Sequence, residues 1–213
     1  MKPQTTRKPA QPIKLFRFRP SGHCHRVELF ISLLGLPIEL IDVDVAGTAQ
    51  KTPEFLAMNA FGQLPVIQDG NVTLADSNAI LIYLNGTYGD SRWLPQDPLG
   101  AAEVQRWLSV AAGLLAFGPA AARAARLFNA PFNADEASGR AMRLFDVMER
   151  VLAKSPYLAG ATPTLADIAN YSYIAHAPEG GISLTPYPHL RAWLAGIEAL
   201  PGFVPMVKSP VPM

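Results

Sequence analysis

Between Ile13 and Leu84 the hydrophobic positions change period several times. Ile13 to Phe18 is a short aliphatic and aromatic run that predicts a strand. Val27, Phe30, Ile31 and Leu34 then recur at helical spacing, and Gly35 with Pro37 ends that helix. Ile38 to Val43 predicts a second strand. After an irregular stretch, Leu64 to Ile67 and Val72 to Leu74 predict two short strands around Asp69-Gly70, a dipeptide favoured in tight hairpin turns. Asp76 and Ser77 offer a cap to a helix with the apolar stripe Ile80, Tyr83 and Leu84. The order is βαβ, an irregular or helical link, then ββα.

Beyond Trp93-Leu94-Pro95-Gln96-Asp97-Pro98 the strand signals fade. Val104, Trp107, Leu108, Ala111 and Leu115 form one helical stripe, and Ala141, Leu144, Phe145, Met148 and Leu152 form another. Thr164-Leu165-Ala166-Asp167 has the spacing of a capping box, followed by the small-residue face Leu165, Ile168, Ala169 and Ser172. The expected organisation is a loose arm over 1–12, an α/β domain over 13–89, a linker over 90–97 and an all-helical bundle over 98–213.

Composition narrows the partners. With 213 residues, 49% of them hydrophobic, the chain can bury substantial cores, and a net charge of +1 with scattered acids and bases argues against nucleic acid or a membrane surface. The lone cysteine, Cys24, excludes an intramolecular disulfide and a cysteine-rich metal site, and fits a reducing, cytoplasmic setting. The basic, proline-rich start lacks the apolar core of a signal peptide. No apolar run is expected to reach the roughly 20 residues of a bilayer span, because Arg123 and Arg126 interrupt the alanine-rich stretch near Ala120.

The candidate chemistry lies in three places. Pro20-Ser21-Gly22-His23-Cys24-His25-Arg26 falls between the first strand and first helix, where unsatisfied N–H groups and the helix dipole favour an anion such as a thiolate. Leu64-Pro65 opens the third strand. Asp76-Ser77 opens a later helix, whose N-terminus and Ser77 hydroxyl suit a carboxylate while Asp76 suits an ammonium. Taken alone, Ser21 and Asp76-Ser77 also read as ordinary helix caps, Cys24 as a small buried side chain, and His23 and His25 as solvent-facing imidazoles.

Together these residues resemble the glutathione transferase family, especially its serine-type members, over nearly everything from Ile13 to Val207. The resemblance implies a thioredoxin-like α/β first domain followed by the all-helical domain. Where thioredoxin-like proteins carry Cys-x-x-Cys, this chain has Ser21-x-x-Cys24, so the thiol would be borrowed from glutathione and held by a hydrogen bond from Ser21. The resemblance further implies a cis Leu64-Pro65 bond with Leu64 main-chain atoms pairing with the cysteinyl backbone, Asp76 and Ser77 receiving the γ-glutamyl end, and Lys51, assisted by Gln63, receiving the glycine carboxylate. His23 and Cys24 stand as accessory candidates. The partners implied are glutathione as co-substrate, a small hydrophobic electrophile and a second copy of the chain, with no metal.

The first functional expectation is conjugation of glutathione to that electrophile. The alternatives are glutathione-dependent disulfide or peroxide reduction, pointed to by Ser21-x-x-Cys24, and a non-catalytic binding protein on the same fold. Thr164, Asp167 and His176 read as structural. The Trp107, Leu108, Ala111 and Phe117 stripe reads as core that also walls the second-substrate pocket by resemblance. Arg17 and Arg19 receive no role.

Overall fold

A computed structural model describes residues 8–209. It divides into two compact units: one runs to Ser91 and takes back Pro201–Met206, and the other spans Arg92–Leu200 and resumes at Val207. The first seven residues of the predicted arm lie outside the described residues.

The first unit is built on a four-stranded sheet in the order β2-β1-β3-β4. β1 (Ile13–Arg17) pairs in parallel with β2 (Ile38–Asp42), and their connection is α1 (Gly22–Leu33). β3 (Val66–Asp69) runs antiparallel to both β1 and β4 (Val72–Ala75). Ile13, Leu15, Val66 and Ile67 are fully buried, as are Val27, Phe30 and Ile31 of α1, so the period changes in the sequence mark the core faces.

Three boundaries differ from expectation for local reasons. Helix α1 begins at Gly22, well before its apolar stripe, because Ser21 caps it. β3 begins at Val66, the first residue with ladder partners on both sides, and the cis Leu64-Pro65 bond precedes it. In the hairpin, Asp69 pairs with Val72, so the loop is Gly70-Asn71 and the left-handed φ of 57° falls on Gly70. The irregular link holds a short helix, α2 (Pro53–Met58), capped by Thr52. The hairpin leads into α3 (Ser77–Tyr88), where Ile80, Leu81 and Leu84 are buried.

The second unit is helical: α4 (Pro98–Val110), α5 (Ala121–Phe128), α6 (Ala134–Leu152), α7 (Leu165–Ala175) and α8 (Pro188–Glu198). Between α4 and α5 the chain winds more widely over Ala111–Ala120 and kinks at Gly118-Pro119. A Cβ on Gly118 would sit 3.1 Å from the Ala141 backbone nitrogen, so glycine allows α6 to approach there. The capping box forms as expected, and Asp167 accepts from Thr164 N (2.8 Å), Leu158 N (2.9 Å) and the Trp193 indole (2.8 Å).

One expectation fails here, and another holds for three of its four residues. Pro98–Phe128 is long and apolar enough by length and composition to cross a membrane, yet half of its most apolar window is buried within the protein, the pattern of a core helix. Arg123, expected to interrupt the run, lies within it: the side chain is buried and pairs with Glu179 at 2.7 Å, while His176 Nδ1 lies 2.6 Å from the other Glu179 oxygen. In addition, Trp107, Leu108 and Ala111 are buried core, whereas Phe117 is 53% exposed. Only Phe117 of that stripe is placed to wall an open pocket.

Candidate functional site

The register of the sheet gathers the candidates. Phe16 lies opposite Val66, and Val66 opposite Ala75, so one step beyond that row come Arg17 on β1, Pro65 before β3 and Asp76 after β4. Ser21 follows β1 by one turn. One end of one sheet therefore carries the α1 cap, the cis proline and the α3 cap.

Ser21 has the extended backbone of an N-cap, and its Oγ accepts weakly from Cys24 N at 3.4 Å. The Cys24 thiol is 1% exposed and accepts from Phe18 N at 3.4 Å. Burial pushes the Cys24 thiol up to about 11, against the opposing hydrogen bonds from Phe18 and Ser21. At neutral pH it is a packed, protonated thiol, which weighs against an attacking role.

His23 is half-buried, and burial together with the charge of Arg26 pushes its imidazole down to about 3. It is neutral at ordinary pH and supplies no cationic aid. His25 is not solvent-facing: it is buried, with Nε2 2.9 Å from Val204 O in the returning segment. Arg17 pairs with Glu28 (2.5 Å) and Asp42 (2.8 Å), which fixes the end of β1 beneath the Ser21 loop.

At the other corner, Asp76 caps α3. Its Oδ1 accepts from Asn78 N (2.9 Å) and Ala79 N (3.0 Å), and Oδ2 has no partner among the described residues. Asp76 holds φ 67° and ψ 122°, a sparsely populated conformation for a residue with a side chain. Such strain persists where the surroundings over-determine it, and it concentrates at ligand sites. Ser77 is buried beside it.

Leu64 is half-buried, and its N–H and C=O join no hydrogen bond among the described residues, leaving one residue of open backbone edge. Lys51 ends a short 3₁₀ turn, Ala49–Lys51, exposed and without an ion pair among the described residues. Its Nζ passes close to Gly62, next to the exposed Gln63.

Sequence reasoning gave Arg26 no role. It is 1% exposed and donates to Ser77 Oγ (3.1 Å) and Asn78 Oδ1 (2.9 Å), tying α1 to the start of α3. The available signal was a cation one turn before Phe30 on the buried stripe of α1. No group of three or more His, Cys, Asp or Glu side chains converges in a metal-holding arrangement among the described residues.

The model of the glutathione S-transferase N-terminal domain matches residues 11–86, and that of the glutathione S-transferase C-terminal domain matches 108–201. Glutathione S-transferase 3 of Zea mays is 33% identical, covering 94% of this chain and 96% of its own. A maleylpyruvate isomerase of a Ralstonia species is 31% identical, covering 90% and 94%. The crystal structure of a glutathione S-transferase from Pseudomonas fluorescens superposes with TM-score 0.86 at 33% identity, covering 93% of this chain and 100% of that one. A glutathione transferase homologue of Drosophila mojavensis, solved with bound glutathione, gives 0.80 at 27%, covering 89% of each. The two domain matches in this order, with relatives spanning nearly the whole chain, show that this protein belongs to the glutathione S-transferase family.

Proposed function

We propose that this protein conjugates glutathione to a small hydrophobic electrophile, with Ser21 holding the thiolate. The observation that supports this most is the convergence of the α1 cap, the cis Leu64-Pro65 backbone and the strained Asp76 cap at one end of one sheet. A free thiol has a pKa of about 8.5; lowering it by one to two units makes a large fraction thiolate at neutral pH. The Ser21 hydroxyl donates to the sulfur, and the N-terminus of α1 adds its partial positive charge. Ser21 keeps its own proton throughout.

The remaining contacts fix the sulfur. Leu64 N–H and C=O pair with the cysteinyl backbone like a single added strand residue. The Ser77 hydroxyl and the start of α3 take the γ-glutamyl carboxylate, and the open Asp76 oxygen takes the ammonium. Lys51, with Gln63 beside it, takes the glycine carboxylate. The electrophile is held mainly by burial of its apolar surface, for which Leu114 and Phe117 are exposed side chains in the second unit. A cytoplasmic setting fits a mechanism that consumes reduced glutathione. The exposed Phe61 side chain fits a homodimer.

The test is the absorbance of bound thiolate across pH in wild type and Ser21→Ala. The Ala variant should raise the thiol pKa of bound glutathione by about one to two units. An unchanged pKa removes Ser21 from the mechanism.

A second reading keeps the ligand and changes the reaction. The Ralstonia relative named maleylpyruvate isomerase, at 31% identity, supports isomerisation; disulfide reduction rests on Ser21-x-x-Cys24 and is weakened by the burial of Cys24. Turnover of a chlorinated nitroarene, maleylpyruvate and a small mixed disulfide, compared side by side, separates the three. No glutathione binding by calorimetry at millimolar concentration would favour a non-catalytic protein.

A further inference from the structure

We propose that Arg26 is a positioning residue that makes the start of α3 selective for a carboxylate, by forcing Ser77 to present hydrogen-bond donors. The inference rests on the glutathione reading above, and its ligand is the α-carboxylate of the γ-glutamyl group.

The argument is one of polarity. A guanidinium carries donors only, so any oxygen bonded to it must accept. Arg26 Nη1 reaches Ser77 Oγ at 3.1 Å and Asn78 Oδ1 at 2.9 Å. The Ser77 oxygen is thereby occupied, and its hydrogen must rotate elsewhere. Ser77 is 5% exposed, and its hydroxyl donates to no group among the described residues. A buried hydroxyl with an unspent donor is costly unless something accepts from it. The same contact fixes the Asn78 amide, since an oxygen turned toward Arg26 turns the NH₂ away.

The helix start adds a second unspent donor. Of the first N–H groups of α3, those of Asn78 and Ala79 are taken by Asp76 Oδ1, and that of Ile80 by Asp76 O. The Ser77 N–H has no acceptor among the described residues. One residue thus offers its hydroxyl and its amide together, matching the two oxygens of a carboxylate. A neutral residue in place of Arg26 would let the Ser77 hydroxyl turn inward and accept from the ligand side, where it no longer distinguishes a carboxylate from a neutral group.

The experiment uses the full-length protein and two ligands: glutathione, and 4-aminobutyryl-cysteinyl-glycine, which lacks only the γ-glutamyl carboxylate. Dissociation constants by calorimetry and the KM and kcat of conjugation are measured for wild type, Arg26→Met, Arg26→Lys, Ser77→Ala and Arg26→Met/Ser77→Ala. Arg26→Met should weaken glutathione about tenfold, the scale of one charge-assisted hydrogen bond, as a rise in KM with kcat within about threefold. The analogue should weaken less than about twofold in the same variant, because it has no carboxylate to lose. Arg26→Lys should recover part of the glutathione affinity, and the double variant should be no weaker than the weaker single one.

Equal loss for both ligands, or additive losses in the double variant, overturns the inference and makes Arg26 a folding residue. Where Arg26→Met does not fold, the two-ligand comparison in Arg26→Lys decides: a loss shared by both ligands overturns it, and a loss confined to glutathione supports it. Wild type that binds neither ligand overturns the glutathione reading itself. Wild type that binds both equally overturns only the carboxylate assignment.

Discussion

Cys24 and Ser21 sit one helical turn apart and differ in what water can reach. The thiol is packed beneath the loop and pushed up to about 11 by burial, whereas the Ser21 hydroxyl is half-buried at the cap. Cys24 should accordingly react slowly with iodoacetamide at neutral pH in the native protein and quickly once unfolded. Cys24→Ala should leave conjugation within about twofold of wild type, since a small buried side chain replaced by a smaller one shifts packing rather than chemistry. A large loss of activity, or fast native alkylation, would show the thiol to be exposed and engaged. The residue types at Ser21, Asp76 and Ser77 could be read from the chain as caps with a suited chemistry. Arg26 could not be assigned, because its partners Ser77 and Asn78 are about fifty positions away and meet it only through packing.

Elements in the second unit are held by carboxylates reaching beyond their own helix. Asp167 is buried and accepts from Thr164, Leu158 and Trp193, so Asp167→Ala should cost about 3 kcal/mol or more in urea unfolding, above the ~1 kcal/mol of an ordinary cap. Its glutathione KM should not change. Helix α8 has no side-chain cap of its own; Glu149 of α6 accepts from His189 N (3.0 Å) and Leu190 N (2.9 Å) instead. Burial works against its charge, but those N–H groups and the His189 imidazole win and hold its carboxyl below the usual 4.5. A depressed folded pKa means the unfolded chain binds the proton first, so this stabilisation is complete above pH 4.5 and fades as pH falls through the folded value. Glu149→Gln should flatten that acid limb in thermal melts while lowering stability at pH 7. An acid limb identical to wild type would remove Glu149 from it. The Thr164 box was legible because both partners lie within one turn; the Glu149 cap was not, since forty residues separate donor and acceptor.

At the scale of the whole molecule, two compact units follow from a chain whose strand-period segments stop near Trp93, leaving only helical periods beyond it. The returning segment Pro201–Met206 belongs to the first unit through Val204 O on His25 and Gly202 O on Ser32. The proposed homodimer predicts a mass near twice 23.0 kDa by light scattering, and Phe61→Glu should shift it toward one copy if that exposed ring lies in the interface. A single-copy mass for wild type would end that part of the reading. The sequence by itself determined the order of elements, the change from α/β to all-helical, and the residue types at three capping positions, because period, caps and turn residues are local properties of the chain. Only the tertiary structure decided that Cys24 and His25 are buried, that Arg123 pairs inside the core, and that Arg26 lies against Ser77. Burial and pairing depend on which distant segments pack together, and in this chain the register of one sheet decides that for the site.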